Sequence, residues 1–461
     1  LKLRPGSEIE VEVESVAMEG RGVARLDSLV VFVDKGLPGE RVRARVQRVK
    51  SSFVQARAVE IVRPAPHRVA GRCVHLDVCG GCSWQELDYE SQLDAKTDIV
   101  RDALQRLGGF RDVDVPRAWA APSPFFYRNK MEFSFYAGQA GEIVLGLHRP
   151  GTFDRVFDLQ ACHLMSETSN RIVERVRDLA ARSGQPAYHT RRHQGFWRYL
   201  VVREGKHTGQ TMVNLVTHAG TIANQADLVA TLTAEFPSLT SLVRNVNTRR
   251  ATVAVGESQE VLHGAAEIEE RLGGLRFRIA ANSFFQTNTL QAERLFDLAV
   301  DWASPGGDAD VLDLYAGTGA ISLLLARRAR RVTGIEIVPE SVAKAEQNAA
   351  LNGIDNCRFV TGEVRDYFRR RPGEAAAAQV VLVDPPRAGL HPDVVTALRQ
   401  LAPPRLVYVS CNPATLARDL QLLCAGGAWE LRRVQPVDMF PHTYHVECVA
   451  LLERRAGAPP A

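Results

Sequence analysis

Cys411 stands in the stretch LVYVSCNPATLARDL, directly after an apolar run, Leu406 to Val409, and two residues ahead of Pro413. The run reads as a buried parallel strand and the proline as the first turn of a helix. The thiol therefore falls at the carboxyl end of a strand, where open α/β sheets hold their ligands. A helix amino terminus close by favours thiolate over thiol. Taken alone, Cys411 reads first as a small core group, as do Cys357, Cys424 and Cys448. A carboxylate changes its weight: Glu447, in HTYHVECVALL, enters the final strand pair. A thiolate that adds to an electron-poor ring makes the neighbouring carbon nucleophilic. Once that carbon has reacted, a base must remove its proton before the thiol can leave. A cysteine and a carboxylate are the pair this chemistry requires.

A second group of residues suits a nucleoside ligand. In VLDLYAGTGAISLLLA a strand ends near Asp313, a turn runs from Ala316 to Gly319, and a helix starts at Ala320. Gly317 and Gly319 allow a tight turn and close approach of the backbone to a ligand. Ser322 replaces the third glycine of a dinucleotide fingerprint, and Glu336, ending the run RVTGIE, is placed to accept from ribose hydroxyls. Adenosine without a pyrophosphate points to S-adenosylmethionine; dinucleotide binding is the alternative. Asp384, in VVLVDPPRAGL, is expected beside the same pocket on a proline-stiffened turn. Arg387 stands where methyltransferases acting on amino groups carry an aromatic residue, which argues against an exocyclic amine as target.

Cysteines form a third group. Cys73, Cys79 and Cys82 crowd into CVHLDVCGGC, and Cys162 follows later. By count and spacing they suit a structural zinc or an iron–sulfur cluster equally.

These residues need a scaffold. At 461 residues the chain predicts several domains, and 45% hydrophobic with 24% charged residues is a globular composition. No apolar run is long enough to cross a bilayer and no signal sequence opens the chain, so a cytoplasmic protein is expected. Residues 1–62 alternate with period two between glycine turns, predicting five short strands in a small barrel of the oligonucleotide-binding kind, or a sandwich fragment. Nine Lys or Arg against two acids between Glu40 and Arg72 suggest a polyanion-binding edge, or simply a solvated face. Residues 63–273 predict an α+β domain with helices near Tyr89–Leu107 and Glu167–Arg182. Residues 274–461 alternate strands with helices, including Pro339–Asn352 and Pro392–Leu401, predicting a doubly wound, mostly parallel Rossmann-like sheet.

The ordered set DLYAGTG, DPPRAGL, SCNPATLARDL and HVE, with FFQTN at Phe284–Asn288, the CGGC cluster and the amino-terminal barrel, resembles the S-adenosylmethionine-dependent RNA uracil-5-methyltransferases across nearly the whole chain. The barrel is similar to a TRAM domain. The resemblance implies Cys411 as nucleophile, Glu447 as proton acceptor, and Gln286, Tyr315, Glu336 and Asp384 as cofactor residues. It also implies a four-iron, four-sulfur cluster on Cys73, Cys79, Cys82 and Cys162. Barrel plus cluster resembles the ribosomal members of the family, so a single-stranded loop of 23S ribosomal RNA is the expected partner. Transfer RNA is the alternative. Aromatic-basic segments FFYRNKMEF and RRHQGFWRYL are expected to stack or grip splayed bases. A non-catalytic RNA-binding iron–sulfur protein has no need of Cys411, Glu447 and Glu336 together. A cytosine-5 enzyme calls for a different turn at Asp384. The protein is expected to act as a monomer without membrane contact.

Overall fold

The computed structural model describes residues 3–17, 19–152, 154–455 and 457. The outer limits of the first and last expected domains, residues 1–2, 456 and 458–461, lie outside the described residues, as do residues 18 and 153.

Strict alternation of buried and exposed side chains along Glu8–Val16 and Arg41–Val49 folds the amino-terminal segment into a closed barrel. Its strands run in the order Glu8–Val16, Gly22–Leu26, Leu29–Asp34, Phe53–Arg63, Arg41–Val49, so no sheet edge is left open. Val11, Val13, Val31, Val33, Val42 and Val54 fill it. The expected basic edge is laced with acids. Arg41 pairs with Glu10, Arg43 with Glu60, Arg45 with Glu8 and Arg63 with Glu12. Glu8, Glu10 and Glu12 lie on the outer face of one strand because period two puts them there.

A seven-stranded sheet forms the middle of the molecule, in the order Ser258–Gly264, Leu239–Val246, Thr211–Thr217, Trp197–Glu204, Lys130–Ala137, Ile143–His148, Val156–Asp158. Helices Glu167–Arg182 and Gln225–Glu235 cover one face, packing Ile172, Val176, Leu228 and Leu232 on Phe133 and Leu200. The carboxyl-terminal sheet has the order Cys357–Thr361, Arg331–Glu336, Asp310–Leu314, Val380–Val383, Arg405–Ser410, Glu447–Arg454, Trp429–Val437. Its first five strands are parallel, Glu447–Arg454 runs antiparallel to them, and Trp429–Val437 pairs antiparallel with that strand, so the expected doubly wound, mostly parallel architecture is present. Successive strands leave Asp310–Leu314 in opposite directions, which puts the switch point of the sheet beside that strand.

Two segments expected in the middle region pack elsewhere. The boundary between residues 273 and 274 falls in the turn of a hairpin, Glu267–Leu272 with Leu275–Ala280. Both arms bury Ile268, Leu272 and Phe277 against Leu295 and Leu323 of the carboxyl-terminal unit. Helix Tyr89–Arg106 likewise buries Ile99, Val100 and Leu104 with Leu416, Leu420 and Leu423. Among the described residues no helix is long and apolar enough to cross a membrane.

Candidate active site

Strand register brings the sequence-picked residues into one row. Leu314, Ile335 and Val383 are level, since Leu314 pairs with both of the others in parallel. The next residue on each strand is Tyr315, Glu336 or Asp384, and all three line one cavity of about 1260 Å³ at the carboxyl edge of the sheet. Gln286, Cys411 and Glu447 line the same cavity. All six residues singled out for chemistry and cofactor contact meet there.

The turn after the first strand is shaped for a ligand. Tyr315 adopts φ 73°, rare for a non-glycine residue, and its N–H and that of Ala316 both donate to the Ile335 carbonyl. Gly317 has φ 55°, and a Cβ there would meet nothing within 4 Å, so the turn presents bare backbone to open space. Gly319 has no such room; a Cβ would stand 2.8 Å from Phe359. Glu336 accepts from Gly317 N–H and Val338 N–H, both at 2.9 Å. A carboxylate has about four acceptor sites, so lone pairs are left for two ribose hydroxyls. Ser322, the residue in place of the third glycine, donates to buried Asp313, whose carboxyl burial pushes up to about 7. The cradle suits an adenosine with no pyrophosphate.

The catalytic side is held by two turns bolted together. Asn412 Nδ2 donates to the Arg387 carbonyl at 3.1 Å and caps helix Pro413–Cys424 through Ala414 N–H. Buried Asp419, in the second turn of that helix, accepts from Leu390 N–H at 2.7 Å and from Tyr408 Oη at 2.7 Å. It fixes the DPPR turn relative to Cys411. A glycine is required at 389 because a Cβ would lie 2.4 Å from the Asp419 carboxylate.

Electrostatics differ from the expectation at Cys411. The thiol is pushed up to about 11, first by burial and then by Glu447 and Asp384, with Arg387 opposing. Glu447 is itself pushed up to about 8 by burial and Asp384, and Asp384 to about 7 by burial. His445, also on the cavity wall, is lowered to about 4 by burial and by Arg387, which keeps it neutral.

A polar strut not evident in the sequence positions the segment before Glu447. Lys96, fully buried on helix Tyr89–Arg106, pairs with Asp438 and donates to the Phe440 carbonyl at 3.0 Å. Tyr89 Oη donates to Asp438 at 2.8 Å. Gln92 brackets His442, donating to Nδ1 at 3.2 Å and accepting from its N–H at 2.8 Å. Asn129 does the same for the FFQTN loop, donating to the Gln286 carbonyl at 2.7 Å while its own N–H donates to that of Thr287 at 2.8 Å. No sequence signal marks Lys96, Gln92 or Asn129.

The four clustered cysteines lie within electrostatic reach of one another. Cys82 is pushed up to about 12 by burial and then by Cys162, Cys79 and Cys73. Backbone N–H groups of His75 and Gly81 donate to Cys73 and Cys79 sulfurs at 3.4 and 3.3 Å, as they would to thiolates. Among the described residues, however, no group of three or more His, Cys, Asp or Glu side chains is placed so that it could hold a metal ion. The expected metal site is therefore not present as a closed set of ligands. Gly80 and Gly81 of this loop also line the cavity that holds Cys411.

The profile of the tRNA (uracil-5-)-methyltransferase family matches residues 88–455, and that of the TRAM domain matches residues 2–59. An uncharacterized RNA methyltransferase of Bacillus cereus is 39% identical, over 96% of either chain. One from Gloeobacter violaceus is 41% identical, over 98% of either chain. The crystal structure of Pyrococcus abyssi tRNA (uracil-54, C5)-methyltransferase in complex with S-adenosyl-L-homocysteine superposes with a TM-score of 0.76 and 30% identity. That likeness covers 96% of this chain and 100% of the neighbour.

Proposed function

This chain belongs to the tRNA (uracil-5-)-methyltransferase family and is an S-adenosylmethionine-dependent RNA methyltransferase, and on that footing we propose that it methylates carbon 5 of uridine in a single-stranded loop of 23S ribosomal RNA. The observation that carries the reading is the meeting of Cys411 and Glu447 in the cavity that Tyr315, Glu336 and Asp384 line. Cys411 Sγ, as thiolate, bonds to carbon 6 of uracil, and the electrons of the ring double bond move to carbon 5 and, as an enolate, to the carbonyl oxygen on carbon 4. S-adenosylmethionine, when bound, supplies the methyl group that carbon 5 takes. The Glu447 carboxylate then removes the proton from carbon 5, the double bond reforms, and the bond from carbon 6 to Sγ breaks to return the thiolate. A carboxyl raised to about 8 is a stronger base than an ordinary one, which suits this step. A bound sulfonium cation and Arg387 oppose the acids that raise the Cys411 thiol.

Gln286, Tyr315, Glu336 and Asp384 are assigned to the cofactor. Cys73, Cys79, Cys82 and Cys162 are assigned to a four-iron, four-sulfur cluster on the family resemblance of the CGGC segment. The division of labour follows residues 1–62 for RNA binding, 63–273 for the cluster region and 274–461 for catalysis, in a cytoplasmic monomer. The ribosomal target is supported by the likeness of barrel plus four cysteines to the family's ribosomal members. A second reading, a transfer-RNA loop uridine, is favoured by the Pyrococcus abyssi neighbour, which acts on uracil 54 of tRNA.

Mass mapping of 5-methyluridine in ribosomal and transfer RNA, with and without the gene, tests both. Loss from a 23S fragment is expected. Loss from transfer RNA alone establishes the second reading, and unchanged RNA overturns both.

A further inference from the structure

A second cavity, of about 520 Å³, opens on the middle sheet away from the site just described. Its size falls within the roughly 300–1000 Å³ of small-molecule sites. Ser134 and Tyr199, paired across adjacent strands, contribute to its wall together with Tyr136 and His148. Ser134 Oγ and His148 Nε2 are hydrogen-bonded at 2.9 Å, and burial lowers the His148 pKa, so a neutral imidazole sits there. Arg198, 3% exposed, also lines it. Its guanidinium lies 4.2 Å over the Tyr188 ring and its Nε is buried without a partner. Arg192 is exposed at the mouth.

One face of the sheet leads from the second cavity toward the loop that lines the first. Phe133 and Phe135 point to the covering helices, so Lys130, Ser134 and Tyr136 point the other way. At the near end of this face Lys130 pairs with Arg203, which donates to the carbonyls of Ala281 and Ser283. The next residue, Phe284, is 70% exposed and lines the catalytic cavity. From Lys130 to Ser134 is about 13 Å of strand, at roughly 3.3 Å per residue. Unpaired RNA can cover that span in a few nucleotides.

We propose that this second cavity receives one unstacked nucleotide of the RNA that carries the target uridine. The inference rests on the RNA methyltransferase reading and adds a subsite to it. Arg198 and Tyr188 are stacked on each other and form the floor. Tyr136, half-buried on the wall, is a ring on which a splayed base can stack, Ser134 and His148 offer hydrogen bonds to a base edge, and Arg192 suits a phosphate. Flat rings beside a basic mouth fit a nucleotide better than an acidic peptide, which has no base to stack.

The test uses the full chain and a short oligouridylate containing 4-thiouridine, crosslinked by long-wavelength light. Crosslinks are expected on peptides carrying Tyr136 or Tyr188–Tyr199, as well as in the catalytic cavity. Tyr136→Ala and Arg192→Glu are each expected to remove the former and to raise KM for RNA about tenfold, with kcat and S-adenosylhomocysteine binding unchanged. Crosslinks confined to the catalytic cavity, with KM unchanged in both variants, overturn the subsite. Crosslinking needs no turnover, so a protein that methylates no uridine refutes the functional reading while still reporting on this cavity.

Discussion

Cys411 and Glu447 face one another at the ends of two adjacent antiparallel strands. Ser410 pairs with Cys448, and one further step along each strand gives Cys411 opposite Glu447. Glu447 also pairs with Val437 on its other side, so it is anchored in the sheet and buried, while Cys411 begins the turn into the next helix. Thiol and carboxylate therefore have separate backbone supports and one shared cavity. In the proposed reaction that separation would let one group bond to the ring while the other handles a proton.

The raised carboxyls make stability depend on pH. Glu447 is near 8 against an ordinary 4.5, and Asp384 and Asp313 are near 7 against 3.8. The folded protein holds protons that the unfolded chain releases. Their stabilisation is complete below the unfolded values and is lost as pH rises through about 7 to 8, by on the order of a few kcal/mol. The melting temperature is expected to fall between about pH 5 and pH 9, and Glu447→Gln is expected to flatten the fall. A profile identical in the two proteins contradicts this.

Glu336 pins the Gly317 turn, and in the proposed reading it also meets the ribose. Glu336→Ala is expected to weaken S-adenosylhomocysteine binding by about 1–3 kcal/mol in calorimetric titration. Glu336→Gln is expected to lose less, because an amide oxygen still accepts from one backbone N–H. Equal affinity in all three proteins would place the cofactor elsewhere.

Deleting residues 1–62 is expected to weaken RNA binding and reduce its salt slope by about one or more. It is also expected to lower the melting temperature, since the barrel is not a free appendage. Buried Glu40 pairs with Arg68, Trp84 Nε1 donates to the Gly20 carbonyl at 3.0 Å, and a Cβ at Gly20 would stand 2.6 Å from the Tyr444 ring. An unchanged salt slope after deletion would mean that the acids paired with Arg41, Arg43 and Arg45 leave them no share in phosphate binding.

Anaerobically purified protein is expected to contain iron and sulfide and to absorb broadly near roughly 400 nm, with Cys79→Ser bleached. Stoichiometric zinc without iron contradicts the cluster.

Much of the architecture was legible because periodicity survives in the sequence. The helices Glu167–Arg182 and Pro392–Leu401 have the expected bounds. The strand Ser258–Gly264 was not legible, since nearly all its side chains are exposed and no apolar alternation marks it. Helix Tyr89–Arg106 was visible as a helix, but its packing against Leu416 and Leu420 is long-range and leaves no local trace. The convergence of Cys411, Glu447 and Glu336 on one cavity was expected from chemistry: a strand-end thiol, a carboxylate and an acid ending the next strand. The protonation of the thiol was not. A helix terminus beside Cys411 suggests a thiolate, whereas burial and two facing carboxylates raise the thiol instead. Lys96 and Asp438 are ordinary residue types far apart in the chain, and only the fold makes them a buried pair.

The most direct test of the division of roles between Cys411 and Glu447 is a covalent trap. Each variant is incubated with RNA and methyl-labelled S-adenosylmethionine, then run on a denaturing gel. With Glu447→Gln, addition at carbon 6 and methyl transfer proceed but the carbon 5 proton stays, so elimination stalls. A slow-migrating labelled protein–RNA band is expected to accumulate with Glu447→Gln and to be absent with Cys411→Ala, which cannot add to the ring. Normal turnover by Glu447→Gln without an adduct, or an adduct formed by Cys411→Ala, would contradict the assignment.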